Sequence, residues 1–184
     1  IKKDTSSFMI SGRRTYIDVL MQPFINKDKP LAGTRYFFYD LNTKINYRIS
    51  DRDRLFLSGY FGRDKFIFSD KESGFETDIP WGNATACLRW NHLFNDKLFM
   101  NTSAIFSNYH FEFGATQSSF EFRLFSGIQD WNGKVDFSWF PNVKHKVKFG
   151  ANYIFHTFTP SNATAKSGEV EFDLGEIVRL YSHD

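Results

Sequence analysis

Five histidines, one cysteine and a few strand-borne carboxylates are the residues of this 184-residue chain that could do chemistry. His92, His110, His145, His156 and His183 are scattered, and none falls into the HExxH spacing that sets two imidazoles on one helix face around zinc. Cys87 has no histidine close by and reads as a small filler on the polar side of a strand. Asp130, Lys134 and Asp136 share one strand parity, which could suit acid–base work of a phospholipase- or protease-like barrel. No activated nucleophile stands beside them, so an ion-paired wall fits better. Gly12-Arg13-Arg14 could bind an anion, and more simply braces a wall against carboxylates. Asn83-Ala84-Thr85, Asn101-Thr102-Ser103 and Asn162-Ala163-Thr164 match the glycosylation pattern, but the first two fall inside strands, so all three read as chance. There is no glycine-rich phosphate loop. The expectation is a chain that is not an enzyme and carries no cofactor and no metal.

Composition narrows the class. Aromatic residues make up 19% of the chain, with Phe alone at 23, while 24% of residues are charged. Aromatic and polar groups are finely mixed, which excludes disorder, since disordered chains are poor in aromatics. No apolar run approaches the roughly 18 residues of a membrane helix. The formal net charge of +2, with no basic block, points to no nucleic-acid partner. The chain opens Ile1-Lys2-Lys3-Asp4 and ends Tyr181-Ser182-His183-Asp184, without a leader or a closing strand, and reads as an internal fragment.

The elements that carry these residues follow period two. From Arg35 to Ser50, Phe37, Tyr39, Leu41, Thr43, Ile45, Tyr47 and Ile49 alternate with Asp40, Asn42, Lys44, Asn46 and Arg48. Successive strand side chains point to opposite sides, so this is a strand apolar on one face and polar on the other. The same alternation runs through Trp81–Phe94, Asp130–Phe140 and His145–Thr159, with weaker versions in Arg54–Phe68 and Lys97–Phe111. Phe8–Leu20 reads as a further strand whose faces the pattern does not assign. Phe120, Phe122 and Leu124 have the opposite parity to Trp131, Val135, Phe137 and Trp139. A β-bulge at Phe125-Ser126-Gly127 would absorb that slip better than a break between two strands. Tight turns at Asp51-Arg52-Asp53, Asn95-Asp96 and Pro141–Lys144 are regularly spaced. Between them lie longer, looser stretches at Met21–Gly33, Asp70–Pro80 and Pro160–Gly168, and a shorter link at Glu112–Gln117. The expected fold is all-β: an antiparallel up-and-down meander of about seven strands over residues 1–184, with no second domain.

Alternation does not say which face is inside. A soluble up-and-down barrel turns its apolar face inward, and an outer-membrane barrel turns it to lipid. Three features favour the membrane. Short turns alternate with long loops. Aromatic residues cluster just before the short turns (Tyr47, Trp90, Phe94, Trp139 and Phe140), where an interfacial girdle would lie. Several strands run about 14 residues or more, beyond the roughly 9–11 that cross a bilayer.

Several stretches resemble the barrel of TonB-dependent receptors, particularly those of Bacteroidetes outer membranes. They are Ser7-Phe8-Met9-Ile10-Ser11-Gly12-Arg13-Arg14-Thr15-Tyr16-Ile17-Asp18, Tyr39-Asp40-Leu41-Asn42-Thr43-Lys44 and Asp51-Arg52-Asp53-Arg54-Leu55-Phe56-Leu57-Ser58-Gly59-Tyr60-Phe61-Gly62, with Trp81-Gly82-Asn83-Ala84-Thr85 and Lys148-Phe149-Gly150-Ala151. Each is weak alone, but the ordered set covers nearly the whole chain. The resemblance implies a barrel of about 22 strands filled by a plug domain. An N-terminal TonB box couples import of an iron chelate, cobalamin or glycan to the inner membrane. Neither plug nor TonB box is seen in this chain, which would be about the first third of the barrel. Its implied partners are outer-membrane lipid, the plug, TonB through the missing N-terminal part, and a possible surface lipoprotein over the loops. Asp40, Asn42, Lys44, Asn46, Arg48, Arg89, Asn91, Asp130, Lys134 and Asp136 would face the lumen and touch the plug. Substrate recognition would fall on the long loops, including Phe75–Trp81. The alternatives are a small self-contained outer-membrane barrel (structural protein, adhesin or simple pore) and a soluble ligand-binding barrel.

Overall fold

The structure, a computed structural model, describes residues 5–24, 33–70, 72–168 and 170–183, leaving aside the side chains of 22 and 171–183. Eight strands follow one another in sequence order: β1 (Ser6–Arg14), β2 (Arg35–Arg48), β3 (Asp53–Asp70), β4 (Phe75–Asn95), β5 (Leu98–Gln117), β6 (Phe120–Asn142), β7 (His145–Ser167) and β8 (Val170–His183). They form one antiparallel sheet in which each strand pairs only with its neighbours in the chain. The up-and-down meander expected from the alternation is therefore the fold. A short helix α1 (Ile17–Leu20) and a single 3-10 turn at Gln22–Phe24 follow β1.

The sheet is a single layer. Among the described residues Met100 is the one hydrophobic side chain classed as buried, and no large side chain is fully enclosed. Strands β1 and β8 make no contact with each other, so the sheet does not close on itself. A soluble β-protein buries one face against a second layer; here both faces await neighbours.

Several expectations change in detail. The first strand ends at Arg14, and Ile17–Leu20 is helical. The sheet holds eight strands rather than about seven, because Val170–His183 pairs with β7 from Tyr153 to Ser167. The looser stretches Asp70–Pro80, Glu112–Gln117 and Pro160–Gly168 are mostly strand. What remains of them as turns is tight: Gln117 pairs with Phe120 around a left-handed Ser118 (φ 56°), and Ser167 pairs with Val170 beyond Gly168 (φ 61°). These two-residue hairpins need positive φ to match strand twist. The expected loop at Met21–Gly33 lies largely outside the described residues.

The bulge also moves. β6 is continuous and keeps unbroken register with β5 through Phe125-Ser126-Gly127. Against β7, however, Phe125 pairs with Asn162 and Gly127 with Thr159. Against β8, Phe158 pairs with Val178 and Ser161 with Glu176. The extra residue therefore sits in β7, around Pro160, where an absent N–H costs no ladder bond. Pro80 is handled similarly: it pairs with Lys65 of β3, while β4 and β5 leave Ile79-Pro80 unpaired.

Two glycines test the ladder. A Cβ at Gly150 would lie 2.3 Å from the Val135 carbonyl oxygen, whereas one at Gly133 meets nothing within 4 Å. Gly150→Ala should cost about 1–3 kcal/mol by forcing β6 and β7 apart, and Gly133→Ala should change stability by less than about 0.5 kcal/mol. Denaturant unfolding of each variant beside wild type measures both.

Candidate functional site

The candidate site of this molecule is a pair of sheet faces. The cross-strand register fixes them. Asp40 opposes Gly62, Gly62 opposes Asn83, Asn83 opposes Tyr109 and Tyr109 opposes Ile128, so even residues of β2, β3 and β6 share a face with odd residues of β4 and β5. On this Asp40 face lie all ten residues singled out from the sequence: Asp40, Asn42, Lys44, Asn46 and Arg48 on β2, Arg89 and Asn91 on β4, and Asp130, Lys134 and Asp136 on β6. β1 contributes Ser7, Met9, Ser11 and Arg13 to the same face, which assigns the strand that the sequence left open.

Polar contacts knit this face. Arg13 Nε donates to Asp40 Oδ2 at 2.5 Å, and Asp40 is nearly covered while Arg13 stays exposed. The guanidinium of Gly12-Arg13-Arg14 thus braces the wall against a carboxylate. Lys134 Nζ is 3.3 Å from Asp136, and His156 Nδ1 is 2.6 Å from Asp130 Oδ1 across β6–β7. Asp136 thus has an ammonium beside it, and Asp130 a histidine ring nitrogen. Buried side-chain oxygens of Asn46, Asn83, Asn91, Asn132 and Asn152, all on this face, find no hydrogen-bond partner. Cys87 sits here between Ser58 and Ile105 and is a free thiol. Among the described residues no cluster of three or more His, Cys, Asp or Glu could hold a metal ion.

The opposite face carries Leu57, Leu88, Phe106, Trp131, Phe149 and Phe155. Directly opposed rings pack together here: Phe106 and Trp131 at 4.6 Å, Phe137 and Phe149 at 5.0 Å and stacked. Small residues Ala86, Ala104 and Gly133 leave a shallow apolar groove between Leu57 and Leu88 on one side and Trp131 and Tyr153 on the other. The apolar band spans Phe37–Tyr47 on β2, Trp131–Trp139 on β6 and Val147–Phe155 on β7, which matches the roughly 9–11 residues of a tilted membrane strand. Both band edges shift in the same direction from β2 to β7 relative to the paired rows. Tyr47 and Trp90 lie level, one row above Asp53 and His92, whereas Trp139 lies below that row on β6. A flat slab crossed by tilted strands produces that shear.

Above the band the polarity of both faces inverts. The Leu57 face becomes polar, with Arg63, Lys65, Asp78, Glu112, Gln129 and Arg123. The Asp40 face becomes aromatic, with Tyr36, Trp81, Phe111, Phe113 and Phe122, beside the aliphatic Leu124. Tyr36 stacks on Trp81 at 6.2 Å, and Phe113 meets Phe122 at 6.3 Å. The slip at Phe120–Leu124 is thus no bulge; those residues face the Asp40 side because the face itself changes character. Phe75–Trp81, expected in a loop, is strand and contributes to this aromatic zone.

At the turn end, Tyr47, Trp90 and Trp139 project from the Leu57 face, and Phe94 joins them through Phe137 at 6.4 Å. Phe140 departs from this girdle. It follows Trp139 directly and so falls on the other side, with Lys146 Nζ 5.1 Å from its ring centroid. Trp90 is anchored: Asp53 accepts from its indole N–H at 3.0 Å and from Ser50 Oγ at 2.7 Å, and lies 2.6 Å from His92 Nδ1. No local pattern in the sequence points to this clasp, which joins the start of β3 and the turn before it to the end of β4.

No protein-family model matches the sequence, and no curated protein matches it. Among solved structures, the crystal structure of the ferric yersiniabactin uptake receptor FyuA from Yersinia pestis superposes with a TM-score of 0.58 at 10% identity. The match covers 82% of this chain and 24% of the receptor, so the chain spans about a quarter of that protein's length.

The hydrogen bonds from His92 and then Ser50 hold the Asp53 carboxyl, at the turn-end rim, below its ordinary value of 3.8. A depressed carboxyl stabilises the fold above its unfolded pKa, and the contribution disappears as pH falls through the folded value. Urea midpoints of wild type and Asp53→Asn should therefore differ above the ordinary carboxyl value of 3.8 and converge once pH has fallen through the lowered one. In fold, the chain is a stretch of antiparallel barrel wall of the kind found in an uptake receptor.

Proposed function

We propose that this chain is part of the barrel of a TonB-dependent outer-membrane receptor, with the Leu57 face against lipid and the Asp40 face toward the lumen. The observation that carries the reading is the apolar band: one face only, bilayer height, sheared as tilted strands demand, and edged by Tyr47, Trp90 and Trp139 at the turn end. Lipid supplies no hydrogen bonds, so spanning backbone must be paired throughout. The unpaired edges of β1 and β8 thus call for further strands, which argues against a self-contained barrel within these residues.

In this reading a plug domain lies against Lys44, Arg48, Arg89, Asn91 and their neighbours. The orphaned asparagine oxygens favour a polar layer there, since a buried unpaired amide costs about 1–3 kcal/mol. The receptor imports a nutrient (an iron chelate, cobalamin or glycan) with energy coupled through TonB. The ordered motif set favours the Bacteroidetes type, among whose glycan importers a surface lipoprotein caps the loops. Substrate, coupling and plug contact belong to the whole receptor.

Three experiments bear on this. Sequencing the gene through both ends should reveal a plug-sized segment of roughly 100 or more residues upstream and further strands downstream. A signal peptide directly upstream and an early stop codon would refute the receptor. Residues 1–184 alone should aggregate in detergent-free buffer through exposed apolar strips and open edges, whereas a monodisperse, cooperatively melting monomer would overturn the membrane assignment. In the full-length protein, Leu57→Arg should cost about 2–4 kcal/mol while Ser58→Arg, on the opposite face, costs far less; unfolding from lipid vesicles reads the difference.

A further inference from the structure

Four cations stand together on the Leu57 face where the apolar band gives way to the polar zone. The register sets Arg14 opposite Tyr39 and Tyr39 opposite Arg63; Phe37 opposes Lys65, and Arg35 opposes Ile67. All four therefore project from one face of β1, β2 and β3, within two rows of each other. Two acids share the neighbourhood and each is taken: Asp18 by Arg14 at 3.4 Å and Asp78 by Lys65 at 3.5 Å. Arg35 and Arg63 have no ion-pair partner among the described residues. Arg14 also lies over the rings of Tyr16 and Phe37, at 5.4 and 5.5 Å, which holds its guanidinium beside the aromatic edge of the band.

The same zone on β6 is built differently. There Arg123 is paired to Glu121 at 2.5 Å, and Lys166 of β7 stands opposite Glu121. Over β6–β7 two cations, Arg123 and Lys166, flank one acid, Glu121, whereas four cations meet a single acid, Asp18, on β1–β3 and the helix that follows β1. A local excess of guanidinium directly above an apolar band is complementary to a molecule that is anionic where it meets water and apolar below. Guanidinium suits phosphate in particular, because its planar fork donates two parallel hydrogen bonds. A cation near a bilayer surface gains from anionic headgroups in proportion to their number.

We infer that the Arg14–Arg35–Arg63–Lys65 patch is a binding site for the phosphate groups of an outer-leaflet lipid, whose acyl chains run down the apolar band beneath. The inference rests on the assignment of the Leu57 face to lipid. If that assignment were wrong, the chain would be soluble in plain buffer; if only this inference were wrong, the protein would remain an integral membrane protein without phosphate preference.

The test uses the full-length protein purified in a neutral detergent. Diphosphorylated lipid A and the same glycolipid stripped of phosphate are titrated in, and bound lipid is counted by native mass spectrometry. Wild type should bind the phosphorylated form about thirtyfold more tightly, the scale expected for two unpaired cations at a headgroup layer. Arg35→Gln with Arg63→Gln should abolish that preference. Arg35→Lys with Arg63→Lys, which keeps the charge, should retain most of it, as should Arg123→Gln on β6. Equal binding of the two lipids by wild type, or an undiminished preference in the double Gln variant, would overturn the site. So would inorganic phosphate alone binding as tightly as the phosphorylated lipid, since that would make it a free-anion site.

Discussion

A backbone amide needs a hydrogen-bond partner, and every strand of this sheet is arranged around that fact. Each pairs with its neighbours along nearly its whole length, and register is kept across the apolar band from β2 to β7. Irregularities are confined to its margins. The bulge at Pro160 and the unpaired Ile79-Pro80 step lie on the loop side of the band. The shifts at Leu93–Asn95 and Trp139–Asn142 lie at the turn side. Proline and bulges, which leave donors or acceptors unpaired, are thus placed where water can satisfy them.

With the backbone paired, side-chain chemistry is free to follow the surroundings at each height. Within the band one face is apolar and the other is lined by asparagine, lysine, arginine and aspartate. Above it the two faces exchange character: the Leu57 face turns polar and the Asp40 face gathers rings. Tyr36 illustrates the exchange: it stacks on Trp81 and donates its hydroxyl to Asp64 at 2.8 Å, on the face that is polar lower down. Strand length, rather than loop length, is what differs between the two ends of the sheet. The turn-end connections and most loop-end connections are equally tight, and the strands beyond the band carry the asymmetry.

The regions read correctly from sequence are those where a single polarity rule applies. Tyr39–Ser50 and Val147–Tyr153 alternate between apolar and polar residues, so their strands and faces were legible. Glu112–Gln117 and Asp70–Pro80 were mistaken for loops because their outward residues are polar there and the apolar partners have changed parity. Phe140 was grouped with Trp139 because both precede a turn, although adjacent strand residues cannot share a face. β8 was missed because Val170–His183 shows no sustained alternation of the band type.

By itself, the sequence determined the all-β class, the up-and-down order and the split of the ten polar candidates from the apolar band, because period two converts residue order directly into faces. Only the tertiary structure decided which residues meet across strands. Asp53, Trp90 and His92 converge, Arg13 reaches Asp40, and Arg35 and Arg63 gather on one patch, because these pairings depend on register. Register is set by turn length and bulge position summed along the sheet, quantities that no local stretch of sequence contains.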